Sequence, residues 1–383
     1  MLISRTDRGL LANWWFTVDR PLITAVLMLM AAGVLFSMAA SPPVAERLGL
    51  QNFHFFERQL LFLAPGVLIL FATSILNPDQ ARRFSLWTLA ACFVLMLVAL
   101  KYGPEIKGAH RWIDIGSFNL QPSEFAKPAF VVVTAWLLSE GVRRGSFLWK
   151  LGSWAVFGSF LALLALQPDF GQAVLVCGVW GVMLLIYGVP WTLMFGLAGV
   201  ALAGAYGAYA TLPHVASRVN RFLDPDKGDT FQVDTALKAL ENGGAFGTGP
   251  GGGSAKHILP DAHTDFIFAV IGEEYGFVAC LVLIALFFFI VTRVLNRARN
   301  ESNPMVVLAL TGLSAIFALQ AMINMAVNVS LLPAKGMTLP FISYGGSSLL
   351  ATAFAMGLIL AFARRRPRAS MPTGAFPGLA AAE

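Results

Sequence analysis

Asp265 closes the run Leu259-Pro260-Asp261-Ala262-His263-Thr264-Asp265, where a long polar insert meets the apolar segment Phe266-Ile267-Phe268-Ala269-Val270. A carboxylate is expensive to keep at the edge of lipid, and one that is kept there commonly serves a substrate, an ion or a proton. A substrate arriving from the aqueous side could reach it, and the group could take a proton from an attacking hydroxyl. The bland alternative is a helix cap, since the N-terminal end of a helix favours negative charge. His263 and Thr264 stand close enough in sequence to orient or tune the carboxylate. Glu273 and Glu274 follow within the apolar segment. Eight residues of helix place Glu273 about 12 Å deeper.

Three further clusters hold polar residues. Gly108-Ala109-His110-Arg111-Trp112-Ile113-Asp114 leads to Gln121-Pro122-Ser123-Glu124-Phe125-Ala126-Lys127. Glu124 and Lys127 are three residues apart, hence on one helix face. Pro122 suits a helix start, with Ser123 or Asn119 as its cap. The pair reads either as an ion pair anchoring a helix end or as part of a site. The stretch Asn242 to Lys256 is rich in glycine, and Gly247, Gly249 and Gly252 have dinucleotide-loop spacing. No strand precedes them, so that reading fails. A backbone able to approach an anionic head group, with Lys256 beside it, competes with a plain linker. Last, Asn324 and Asn328 lie one turn apart in an apolar helix and should bond to a neighbouring helix. They precede Gly336-Met337-Thr338-Leu339-Pro340-Phe341-Ile342-Ser343-Tyr344-Gly345-Gly346-Ser347-Ser348, whose small residues permit close helix contact or a backbone lining a cavity.

The elements that carry these groups must be membrane helices. Hydrophobic residues make up 57% of 383 and charged residues 13%, half the usual share for soluble domains. Apolar runs near 22–40, 59–76, 84–100, 125–139, 152–167, 172–188, 190–210, 266–291, 305–331 and 341–363 predict an all-α polytopic membrane protein with ten transmembrane helices. Residues 1–21 and 364–383 form tails, the latter disordered by composition. A large extracytoplasmic loop, about 211–265, separates the seventh and eighth helices. The first run follows a charged tail and reads as an anchor rather than a cleaved signal. Of 27 lysines and arginines, 15 fall in the tails and even-numbered loops: Arg5, Arg8, Arg20, Arg82, Arg83, Arg143, Arg144, Lys150, Arg293, Arg297, Arg299, Arg364, Arg365, Arg366 and Arg368. That bias predicts both termini in the cytoplasm. The net charge of +6 therefore belongs to membrane topology and not to nucleic-acid binding. Cys92, Cys177 and Cys280 sit inside apolar runs and read as packed hydrophobes. The five histidines show no metal-binding spacing.

Arg111-Trp112, Gln121 to Lys127, Gln167-Pro168-Asp169-Phe170-Gly171, Ala262 to Ala269 and Gly336 to Ser348 together resemble the SEDS family of bacterial shape, elongation, division and sporulation proteins, over about residues 20–365. The Ala262 to Glu274 stretch looks more like the division type than the elongation type. The resemblance implies a peptidoglycan glycosyltransferase that polymerises lipid II at the outer face of the bacterial cytoplasmic membrane, at the division septum. It places the family's essential aspartate on Asp265 and its paired acid and base on Glu124 and Lys127. It also implies a class B penicillin-binding protein and other divisome proteins as partners, beside lipid II and membrane lipid. Within that chemistry Asp265 fits a general base. The leaving diphosphate needs positive charge from Lys256, Lys127, Arg111 or a divalent cation such as Mg2+ or Mn2+. Trp112, His263, Thr264, Ser343 and Ser347 are candidate supporting residues. The rival functions are a lipid II flippase and a scaffold without chemistry. Few charges near the midplane and no inverted repeat of broken helices argue against the flippase.

Overall fold

The computed structural model describes residues 9–365 apart from 107, 117, 212–215, 217–219, 221–230 and 334–335. The expected C-terminal disorder therefore lies outside the described residues, as do Lys335 and much of the first half of the insert. Among the described residues ten helices are long and apolar enough to cross a membrane, as the sequence predicts. After a short α1 (Leu10–Thr17) come α2 (Arg20–Arg47), α3 (His54–Ile75), α4 (Pro78–Tyr102), α5 (Pro122–Arg143), α6 (Phe147–Leu166), α7 (Phe170–Tyr187) and α8 (Trp191–Thr211). The insert contributes α9 (Phe231–Gly243) and α10 (Ala255–Ile258). The last spans are α11 (Ile267–Arg299), α12 (Pro304–Asn328) and α13 (Gly346–Ala363).

Helix starts follow local chemistry. Proline stands in the first turn of α2, α4, α5 and α12, where its missing N–H costs nothing. Asn77 and Gln80 close a capping box on α4. At α5 the cap position is Gln121, with no side-chain cap bond. The expected Ser123 or Asn119 cap is corrected: Asn119 belongs instead to a two-stranded hairpin, β1 (Ile113–Ile115) and β2 (Phe118–Leu120), between α4 and α5. Three-residue strands leave no readable period in the sequence.

Three helices form the centre. The apolar windows of α5, α12 and α13 are 72%, 72% and 78% buried, against 0% for α8. α12 packs along α5, α7 and α11, and α13 packs along α3. A polar group on α5 or α12 therefore faces protein, where it must find partners. The two described ends of the chain meet at one end of the bundle. The Arg365 N–H donates to the Thr17 carbonyl at 3.0 Å, and the Arg364 guanidinium donates to the Thr17 hydroxyl at 2.9 Å and the Ile75 carbonyl at 2.8 Å. The Arg293–Asp19 pair at 2.7 Å lies at this end, away from Asp265. An even number of spans requires that arrangement.

Candidate active site at one end of the central helices

Asp265 is set by a tight turn. Asp261 takes a left-handed conformation, φ 54°. Its carbonyl accepts the Thr264 N–H at 3.0 Å, the Asp265 N–H at 3.1 Å and the Thr264 hydroxyl at 3.1 Å. The next helix begins after Phe266, which occupies the cap position with no side-chain cap bond. Asp265 is thus half-buried ahead of the cap position and does not occupy it. Its main-chain carbonyl accepts two side-chain amides, from Asn324 at 3.0 Å and Asn328 at 2.9 Å. Gly336 lies beside the carboxylate, and a Cβ at that position would come 3.7 Å from its Oδ2.

The Glu124–Lys127 pair forms as its spacing predicts. Lys127 Nζ lies 3.0 Å from Glu124, 2.9 Å from the Gln172 carbonyl oxygen and 3.2 Å from that of Gln320. Gln172 also donates to Glu124 at 2.7 Å. Lys127 is only 2% exposed, so these three acceptors replace its hydration shell. A cavity of about 20 Å³, room for a water, adjoins the pair and is lined in part by Gln320, Pro340 and Thr352. Gln172 and Gln320 were not singled out in the sequence. Their signal was faint: uncharged amides inside apolar spans, with no spacing to link them to Lys127.

Arg111 is engaged by the turn after α6. It donates to the Gln167 and Pro168 carbonyls and lies 3.6 Å from Asp169. Asp169 caps α7 through the Gln172 N–H. Burial pushes its carboxyl up from the usual range, against the pull of Arg111. Trp112 follows, half-buried, at the start of the hairpin. The His263 ring packs 4.2 Å from Phe55 and 5.5 Å from Tyr344, centroid to centroid. The Ser343 hydroxyl donates to the Thr264 carbonyl at 2.6 Å and accepts the Leu339 N–H at 2.7 Å. That of Ser347 donates to the Asn119 carbonyl at 2.8 Å and accepts the Gln121 N–H at 3.0 Å. Both serines fasten one segment of backbone to another.

Lys256 and the glycine-rich loop are placed differently from the expectation. Lys256 is buried against Glu274 and donates to the Ala39 carbonyl at 3.4 Å. Its ammonium faces the interior and not an incoming head group. The loop itself wraps a break in α11 at Gly276, φ 80°. The Thr248 and Gly249 N–H groups bond the carbonyls of Glu273 and Glu274 at 2.9 and 3.0 Å. Phe277 and Val278 donate in return to Gly244 and Ala245. The Glu273 carboxylate accepts the Ser254 and Ala255 N–H groups, and that of Glu274 accepts the Gly251 N–H. Gly247, φ 83°, sits where a Cβ would strike the Glu274 carbonyl. Gly243, Gly247 and Gly253 serve close approach to the chain's own helix, and the loop is fastened to that helix rather than standing free.

Among the described residues no group of three or more His, Cys, Asp or Glu converges as a metal cage. The nearby carboxylates Glu124 and Asp169 are turned to Lys127 and Arg111. The donor set does not fit a resident divalent ion, which takes several oxygen ligands.

A buried polar cluster around Lys127 and a half-exposed acid, Asp265, thus lie at one end of packed helices apolar enough to span a membrane. The model of the FtsW, RodA and SpoVE cell cycle protein family matches residues 20–367, and the chain belongs to that family. A probable peptidoglycan glycosyltransferase FtsW of Caulobacter vibrioides is 42% identical over 97% of this chain and 96% of its own. Stage V sporulation protein E of Bacillus subtilis is 34% identical, covering 90% of this chain and 97% of its own. A chain of a peptidoglycan synthase complex that coordinates polymerization and crosslinking superposes with a TM-score of 0.75 at 28% identity, covering 90% of this chain and 97% of that one. The rod shape determining protein RodA of Thermus thermophilus gives 0.67 at 26%, covering 91% and 97%.

Proposed function

We propose that this chain is a peptidoglycan glycosyltransferase of the division type, polymerising lipid II at the outer face of the bacterial cytoplasmic membrane. The observation that carries the mechanism is the placement of Asp265: half-exposed, one residue ahead of the cap position of α11, its backbone gripped from α12. The acceptor's 4-hydroxyl gives its proton to the Asp265 carboxylate as its oxygen attacks the donor's anomeric carbon. The bond from that carbon to the diphosphate oxygen breaks, and undecaprenyl diphosphate leaves with the electron pair. One displacement inverts the configuration and needs one base. The Lys127 ammonium, with Glu124, is a fixed positive centre beneath the site, and Arg111 holds the mouth through the 167–169 turn. A divalent ion such as Mg2+ or Mn2+ would enter as a companion of the diphosphate.

The charge bias of the loops and the shared end of the two described termini support cytoplasmic termini and an outward site. The relatives' names support the division septum as its place and a class B penicillin-binding protein as partner, with other divisome proteins around it. The test is polymerisation of labelled lipid II by the purified chain with its partner. Asp265→Asn keeps shape and polarity and loses proton acceptance, so it should fold, bind the partner and lose about 10²–10⁴ in rate. Normal glycan synthesis by that variant overturns the assignment. Translocation of lipid II with no polymer from the unaltered protein would establish the flippase instead.

A further inference from the structure

α12 carries a stripe of three buried amides in its second half, Gln320, Asn324 and Asn328, each four residues from the next. That spacing puts them on one helix face over two turns. All three reach outside their own helix. Asn328 donates to the Asp265 carbonyl at 2.9 Å and accepts the Ala269 N–H, in the first turn of α11, at 3.0 Å. Asn324 donates to the same Asp265 carbonyl at 3.0 Å and to the Met337 carbonyl at 2.6 Å. One turn deeper, Gln320 donates to the Thr338 carbonyl at 3.1 Å and accepts from Lys127 at 3.2 Å. A single helix face thus holds the backbone of Asp265, the segment beside its carboxylate and the Lys127 ammonium.

Two side-chain donors fill both lone pairs of one backbone carbonyl. A carbonyl ahead of a helix is satisfied by one bond, and burying two amides in an apolar helix carries a desolvation cost. The arrangement makes sense as a way to fix where the Asp265 Cα stands relative to Lys127. Misplacing a catalytic group by about 1 Å costs on the order of 10² in rate, whereas substrate affinity need not change.

We propose that Asn324 and Asn328 are positioning residues, clamping the Asp265 backbone so that its carboxylate meets the acceptor hydroxyl at a fixed distance from the Lys127 centre. The proposal rests on the reading of Asp265 as the base. The substitutions Asn324→Leu and Asn328→Leu, singly and together, keep the branched four-atom side-chain shape and remove the donors. With the full chain, its partner and lipid II, the double change should lower kcat roughly 10- to 100-fold with KM for lipid II within about twofold. The chain should still purify folded and partner-bound. Each single change, leaving one donor on the carbonyl, should cost less, and these carry the test if the double variant does not fold. Met322→Leu, on the exposed side of the same helix, should change nothing. Unchanged kcat overturns the proposal. So does a joint loss of kcat, lipid II affinity and melting temperature, which would make the stripe a packing element only. Asp265→Asn in the same assay separates the two readings. If it polymerises normally, the base is wrong; if it is silent while the asparagine variants run at full rate, only the clamp is wrong.

Discussion

Lys127 and Lys256 are both buried lysines facing a glutamate in a chain that is mostly immersed in lipid, yet their surroundings differ in kind. Around Lys127 the partners are side chains: Glu124, Gln172 and Gln320, with a small cavity beside them. Around Lys256 the partner acid is itself held by the backbone, through the Gly251 N–H, and its neighbour Glu273 by those of Ser254 and Ala255. The side chains of α5, α7 and α12 hold the Lys127 ammonium in place beside a cavity, whereas a clasp of loop amides holds the glutamates of the broken helix. One sequence pattern, lysine with glutamate, therefore makes a polar floor under the site in one place and a fastening for a broken helix in the other.

Removing both charges should break the likeness most sharply. Taking away one member of a buried pair costs about 3–5 kcal/mol, and replacing both by apolar or neutral groups recovers much of that loss. At the first pair, Glu124→Gln with Lys127→Met should restore a folded, partner-binding protein that makes at least about 10²-fold less glycan, because the positive centre is gone. Full polymerisation by that double variant would reduce the pair to a helix anchor. At the second pair, Lys256→Met alone should purify poorly and unfold at a lower temperature. Adding Glu274→Gln should return both stability and polymerisation. A folded but inactive double variant would mean that Lys256 acts on substrate after all.

The two regions also differ in what their sequences disclosed. All ten spans were legible, because lipid selects for long apolar runs whatever they pack against. The Glu124–Lys127 contact was legible because it is local, three residues along one helix. Gln172 and Gln320 were not, since they lie 45 and 193 residues from Lys127 and only the bundle brings them together. Asn324 and Asn328 were legible as polar residues needing partners, but not as residues that would choose one carbonyl, that of Asp265. The glycine run misled in a specific way. Glycines that let a backbone approach a phosphate and glycines that let it approach another helix look alike, and only the break at Gly276 shows which is meant.

That clasp predicts a graded effect. At Gly247 an alanine meets two costs at once: a left-handed backbone, worth about 1–2 kcal/mol, and overlap with the Glu274 carbonyl. Gly247→Ala should therefore lower the melting temperature as Lys256→Met does, though by less. Addition of lipid II should not rescue it selectively if the loop serves the helix rather than the ligand. A normal melting temperature with a raised KM for lipid II would return the loop to the substrate.

The smallest effect is expected at Ser347, which carries a hydroxyl next to the site and a serine's usual invitation to be read as a ligand contact. Its oxygen has one proton to give and gives it to the Asn119 carbonyl, while it accepts the Gln121 N–H. It therefore ties the hairpin and the start of α5 to the first turn of α13. The hydroxyl's proton is already committed to backbone, and the residue is 2% exposed. Ser347→Ala leaves the Gln121 N–H and one acceptor lone pair unmet. That is a loss of about 1–3 kcal/mol in a buried setting, lower if a water follows. Glu124 stands three residues beyond Gln121, so a loosened α5 start should reach the Lys127 floor only weakly. The expected result is a melting temperature lower by a few degrees, with kcat and KM for lipid II each within about threefold of the unaltered protein. A Ser347→Ala variant that melts normally but loses affinity for lipid II would show that the hydroxyl leaves Asn119 for the substrate, and that this clip belongs to the binding site.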